Sequence, residues 1–231
     1  MSGFPPKTKE YFITYLQEIM ITSYKIAVIG GTGKSGKYLV QELLKRRIPI
    51  KVLLRKTSHF EITNPLVETV IGDARDYSSV LELLDGCDAL ISALSQPLGE
   101  RTIFSDAAKN VLRAMEEKGM KRYIVIAGLN VDAPGDQKSE QVRFSTDWMY
   151  HNYPETTKDR QVEFELLRNS AVDWTMVRLP MIIQTEAHFP VTVSLTDCPG
   201  ERISAVDLAC FLADQLKSEE YIRKSPFIAN S

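Results

Sequence analysis

The sequence predicts an α/β fold in which a parallel sheet is covered by helices on both faces. Three observations carry this reading. Short apolar, β-branched runs alternate with amphipathic stretches along the chain, the pattern of strand–helix–strand units. The first such run, Lys25-Ile26-Ala27-Val28-Ile29, passes directly into Gly30-Gly31-Thr32-Gly33-Lys34-Ser35-Gly36 and then into a helical pattern through Arg46. The chain has 231 residues, 44% hydrophobic and 25% charged, enough for one domain of this kind with an ordinary core.

Each element follows in order. After the first helix, whose apolar face carries Leu39, Val40, Leu43 and Leu44, residues 48–54 read as a second strand and 67–71 as a third. Ser78 to Leu84 has helical spacing in Val80, Leu81, Leu83 and Leu84. Residues 87–92 give a fourth strand. A long helix over 103–118 carries Ala107, Ala108, Val111, Leu112 and Met115 on one face. Residues 122–126 form a fifth strand. Gly128 to Tyr153, with Pro134-Gly135-Asp136 and several charges, reads as a loop over the carboxyl edge of the sheet, where ligands bind in open α/β folds. A helix over 157–169 and a sixth strand over 174–179 follow. Val191 to Leu195 is expected to pair nearby. Ser204 is a plausible N-cap for a last helix through Gln215, and residues 226–229 suit a final strand. The expected architecture is a Rossmann-type doubly wound sheet with small C-terminal elements on the substrate side, in one domain over 24–231. Residues 1–23 read as an N-terminal extension, either a short helix docked on the domain or a segment ahead of an alternative start at Met20.

The glycine-rich turn carries the chemistry. Such a turn lets the backbone approach a phosphate, and the helix N-terminus behind it offers unpaired N–H groups and a positive dipole end. The Walker A alternative fails in both frames. Val28 stands where the first glycine of Gly33-Lys34 would be needed, and Tyr38 follows Gly36-Lys37 where Ser or Thr would hold Mg²⁺. The second strand then reports on the nucleotide. An NAD site usually places a carboxylate about 20 residues beyond the turn, on the ribose 2′-hydroxyl. Here Leu53-Leu54-Arg55-Lys56 puts two cations there instead. Arg55 suits paired hydrogen bonds to a 2′-phosphate, and Lys56 or Lys34 adds charge, so NADP(H) is preferred over NAD(H).

These residues resemble the atypical short-chain dehydrogenase/reductase families, the NmrA-like and biliverdin/flavin reductase-like NAD(P)-binding proteins. The resemblance runs over nearly all of residues 25–230. It rests on Gly30 to Gly36, on Leu54-Arg55-Lys56, on Gly72-Asp73-Ala74-Arg75-Asp76, on Ile91-Ser92-Ala93-Leu94, and on Lys158 through Arg178-Leu179-Pro180. It implies that Gly30, Gly31, Thr32, Gly33, Lys34, Ser35 and Gly36 hold the pyrophosphate. Asp73 and Ala74 would sit against the adenine. Ser92, Ala93 and Leu94 would line the ribose and nicotinamide half, Ala127 and Gly128 would follow the fifth strand, and Pro180 and Met181 would lie beside the nicotinamide.

Many relatives use Tyr-x-x-x-Lys, in which the tyrosine donates a proton and the lysine lowers its pKa and binds the nicotinamide ribose. Lys158 falls at the lysine position, but the tyrosine position is Pro154, and Tyr153 is one residue out of register. Ala127-Gly128-Leu129-Asn130 stands where a serine partner is usual. Ordinary alcohol–ketone chemistry is therefore not implied. One reading is a reductase of flavin, quinone or tetrapyrrole type, in which positioning does most of the work. Lys158, Tyr153 and His151 are its candidate catalytic residues, with Asn130, Trp148, Tyr150 and Met181 against a flat substrate. The other is an NmrA-like dinucleotide sensor without turnover.

A net charge of −2 implies no broad attraction to nucleic acid or anionic membrane. Cys87, Cys198 and Cys210 suggest neither a disulfide framework nor a zinc site. His59, His151 and His188 are scattered without metal-ligand spacing, so no metal is expected. No apolar run is long enough to span a bilayer. The expected setting is cytoplasmic, and the expected partners are a dinucleotide and a small-molecule acceptor, in a monomer or homodimer.

Overall fold

The computed structural model describes residues 24–55, 62–97 and 99–230. Six parallel strands form the body of the sheet: β1 (Ile26–Ile29), β2 (Ile50–Leu54), β3 (Val67–Ile71), β4 (Ala89–Ser92), β5 (Arg122–Gly128) and β6 (Asp173–Leu179). β10 (Phe227–Asn230) adds to β6 in parallel, and β8 (Val191–Ser194) closes that side antiparallel to β10. The order among the described residues is β3-β2-β1-β4-β5-β6-β10-β8, and β7 (Met181–Ile183) pairs separately with β9 (Arg202–Ser204). The order reverses between β1 and β4, the switch point where open α/β sheets take their ligands.

The two-residue alternation of β1 explains the layers. Ala27 and Ile29 face one core with α2 (Tyr77–Leu84), α3 (Phe104–Lys118) and α5 (Pro154–Arg168). Ile26 and Val28 face the other, with α1 (Gly36–Lys45) and α6 (Ala205–Asp214). Both faces are covered, so these strands read as continuous apolar runs. Ser204 caps α6, its hydroxyl accepting from the Asp207 N–H at 3.1 Å.

The structure corrects the sequence reading in one large respect and several small ones. Residues 128–153 are not one loop: α4 (Glu140–Asn152) occupies their second half, with Ser139 as its N-cap. Its periodic signal is faint because only Val142 and Thr146 on it are buried, while Phe144 and Trp148 point outward. α5 starts at Pro154 rather than Thr157, since proline suits the first helical position. The short strands β7 and β9 were not expected. The reading of residues 1–23 as an extension lies outside the described residues, as do Lys56 and His59.

Candidate functional site

The carboxyl ends of the strands carry two cavities side by side. The first, of about 600 Å³, lies over β3, β2, β1 and β4 and is lined by Gly30, Thr32, Gly33, Arg55, Asp73, Ala74 and Leu94, with Arg75, Ser95, Pro97, Glu100 and Ile103. The second, of about 820 Å³, lies over β5 and β6 and is lined by Gly128, Leu129, Asn130, Trp148, Pro180 and Met181, with Phe144, Met149, Cys198, Pro199 and Glu201 among others.

The glycine-rich turn is built by contact. Gly30 has φ +78°, and a Cβ there would lie 2.5 Å from the carbonyl oxygen of Ala93, beyond the end of β4. A Cβ at Gly36 would run into the carbonyl of Gly30. A side chain at Gly30 would collide with the β4 exit, and one at Gly36 would push the first turn of α1 off the strand end. The Gly33 N–H donates to the Gly30 carbonyl at 3.0 Å, closing the turn. Ser35, at the N-cap of α1, makes no side-chain cap bond, and no acid occupies the first turn. The positive end of this helix is therefore left for an external anion. Gly31 and Ser35 are buried beneath the turn, Gly36 sits at the helix start, and Lys34 is exposed beside it. The donors and the cradle fit a pyrophosphate.

Four charged side chains line the first cavity. Arg75 clasps Asp73 with its Nε at 2.9 Å and its Nη2 at 2.7 Å, and this guanidinium holds the Asp73 carboxyl below its ordinary range. Glu100 accepts from Arg75 at 2.7 Å and from Arg55 at 2.6 Å, and the same two cations depress its carboxyl. Arg75 and Glu100 were not singled out from the sequence. Arg75 lies inside the Gly72 to Asp76 motif, whereas nothing local to Glu100 links it to strand β2.

Leu94 is fixed by α5, which packs on the same face of the sheet. Its carbonyl accepts from Arg160 Nη2 at 2.7 Å, and Arg160 also pairs with the buried Glu163 at 2.6 Å. Burial pushes the Glu163 carboxyl up, opposed by that guanidinium. Asp159 on the same helix accepts from the Phe104 N–H at 2.8 Å and from that of Ser105 at 3.3 Å, capping α3. α5 thus sets both the β4 exit and the start of α3. Ser92, Ala93 and Ala127 are buried within the strand ends and line neither cavity.

The second cavity is mostly apolar, with the buried Asn130 and the polar Ser139, Gln141 and Ser145 in its wall. Glu201 is the one charged side chain in its lining among the described residues, and Gln141 on α4 donates to it at 2.8 Å. Burial pushes the Cys198 thiol up, and its S–H donates to the Gly200 carbonyl at 3.2 Å. Trp148 stacks edge-on against Tyr153, centroids 5.8 Å apart. α4 is placed by a buried ion pair. Arg178 on β6 is fully buried, binds Asp136 through both terminal nitrogens at 2.6 and 2.8 Å, and donates to the Val131 carbonyl at 3.0 Å, tying down the turn that precedes α4.

The suggested catalytic residues are not brought together in either cavity. Lys158 lies on the outer side of α5, its side chain 65% exposed and paired with Glu155. His151 and Tyr153 are exposed at the end of α4, and Tyr150 is partly exposed on its flank. Phe144, four residues before Trp148, belongs on the same helix face. A helical reading of this stretch would have found it.

Comparison with known proteins agrees with this geometry. A family model described as NAD(P)H-binding matches residues 30–219. An isoflavone reductase homolog A622-like protein of Nicotiana tabacum is 33% identical over 113 residues, 43% of this chain and 34% of that protein. The chloroplastic divinyl chlorophyllide a 8-vinyl-reductase of Arabidopsis thaliana is 24% identical over 217 residues, 86% of this chain and 51% of that protein. The chain thus spans about a third to a half of the curated relatives it matches. Among solved structures, ChuY, an anaerobillin reductase from Escherichia coli O157:H7, superposes with a TM-score of 0.75 at 16% identity, covering 89% of this chain and 97% of that one. A short-chain dehydrogenase/reductase from Veillonella parvula in complex with NADP gives 0.73 at 15% identity, covering 90% and 94%. With a Rossmann-type sheet, a glycine-rich turn at the end of its first strand and a family-model match over residues 30–219, the chain belongs to the NAD(P)H-binding family.

Proposed function

We infer that this protein is an NAD(P)H-dependent reductase, preferring NADPH, that acts on a flat conjugated acceptor of flavin, quinone or tetrapyrrole type. The observation that carries the reading is the pair of adjoining cavities, one charged and one apolar, along the carboxyl ends of consecutive strands. Neighbouring strands lie about 4.8 Å apart. β1 and β5, separated only by β4, therefore put the glycine turn and Gly128 within reach of one extended dinucleotide. When bound, the reduced nicotinamide supplies a hydride.

The chain's own residues do the rest. Backbone amides of Gly30 to Gly36 hold the pyrophosphate, and Arg55, with Lys56 beside it in sequence, holds the 2′-phosphate. Asp73 and Ala74 border the adenine. Leu94, Gly128 and Pro180 border the nicotinamide end. Trp148, Phe144 and Met181 hold the acceptor face-on, with Asn130 at the cavity wall, and a volume of about 820 Å³ suits a multi-ring ligand. Proximity and alignment supply the rate, and water returns the proton.

The test is to mix the protein with NADPH and a panel of acceptors and follow loss of reduced-nicotinamide absorbance. The anaerobillin and chlorophyllide reductases among the similar proteins put tetrapyrroles first in that panel. Saturable oxidation is the expected result. A second reading, a regulatory protein that binds the dinucleotide without turnover, is favoured by Lys158, Tyr153 and His151 lying outside both cavities. Tight NADPH binding with no oxidation across the panel would select it.

A further inference from the structure

The first cavity holds a carboxylate that the end of β2 lacks. Glu100 arrives from the segment after β4 and touches both arginines of the cavity, Arg55 at 2.6 Å and Arg75 at 2.7 Å. The turn presenting it is a built feature. Gln96 Nε2 donates to the carbonyls of Pro97, Glu100 and Arg101 at 3.2, 3.0 and 3.1 Å. Gly99 supplies a φ of +73° with open space where a side chain would be. Formal charges in the cluster cancel, since Arg55 and Arg75 are matched by Asp73 and Glu100. Both guanidiniums are therefore already engaged by an anion before any ligand enters.

We propose that Glu100 sets how the protein discriminates between NADPH and NADH. This rests on the placement of the dinucleotide's adenosine end in the first cavity. A 2′-phosphate carries the charge and the acceptor oxygens to bind both arginines, and the Glu100 carboxylate already paired with them competes with it and repels it. A ribose bearing a 2′-hydroxyl has no such claim. It finds Glu100 in place as a hydrogen-bond acceptor, the role a strand-end acid plays in NAD sites. Glu100 thereby taxes the phosphorylated coenzyme and supports the unphosphorylated one, which leaves the protein able to use both.

The experiment measures dissociation constants for NADPH and NADH by calorimetry with the full chain and the variants Glu100→Gln, Glu100→Ala, Arg55→Ala and Arg75→Ala, folding being checked by circular dichroism. Glu100→Gln removes the charge and keeps an acceptor, so NADPH tightens about tenfold while NADH changes little. Glu100→Ala tightens NADPH similarly and weakens NADH about fivefold through the lost hydrogen bond. A ratio of the two constants within twofold of the parent in both Glu100 variants overturns the proposal. The arginine variants separate this failure from a deeper one. If Arg55→Ala and Arg75→Ala weaken NADPH but the Glu100 variants change nothing, only the role of Glu100 falls. If no variant alters NADPH binding, the adenosine end is elsewhere and both readings fall.

Discussion

The two cavities lie on one sheet edge and are built by opposite means. The first is made of short contiguous stretches at successive strand ends, with four paired charges and a backbone cradle for an anion. The second is assembled from the turn after β5, the exposed face of α4, the β6 exit and the segment before β9, and holds one charge. The first resembles a lock whose parts are fixed by sterics at Gly30 and Gly36. The second is a surface whose shape depends on how a single helix is docked. On the proposed function, the first cavity would grip the constant coenzyme and the second the acceptor.

The contrast can be broken at its foundations. Asp136→Ala removes the partner of the fully buried Arg178 and leaves its charge facing carbonyls and the Phe227 ring. The expected cost is about 3–5 kcal/mol of stability, read as a lower urea midpoint. A change in stability below about 1 kcal/mol would mean that the pair does not anchor the turn before α4.

Gly36→Ala strikes the other side. Its Cβ has no room against the Gly30 carbonyl, so NADPH affinity should fall about a hundredfold or more as the cradle opens. Unchanged heats of binding would remove the pyrophosphate from this turn. Trp148→Ala gives the smallest and most selective effect. Stacking on one exposed ring contributes about 0.5–1.5 kcal/mol, so the KM for the acceptor should rise about fivefold while NADPH affinity holds. Equal losses for both ligands would erase the boundary between the cavities.

How much was legible in the sequence follows the same division. Strands β1 to β6 and their helices were readable because each buries its own apolar residues against the sheet, as Leu39, Val40 and Leu43 do on α1. The glycine turn was readable because its sterics act between near neighbours in the chain, and Arg55 because a cation stands at the strand end where an acid is usual; Asp73, Ala74 and Leu94 came from the family pattern, and all of these line the first cavity except part of the turn. α4 was missed because its fixation comes from elsewhere, through Arg178 on Asp136 and Gln141 on Glu201. Glu100 was missed because its two partners stand 45 and 25 residues away. The catalytic assignments to Lys158, Tyr153 and His151 came from a family pattern whose tyrosine position is here Pro154, and these side chains line neither cavity.

The light anchoring of α4 has a consequence for how such a chain diversifies. Val142 and Thr146 are the residues of this helix buried in the core, so substitutions along its outward side, Gln141 apart, remove few buried contacts. On the proposed function, selection can reshape the acceptor's bed residue by residue while the coenzyme grip and the sheet stay untouched.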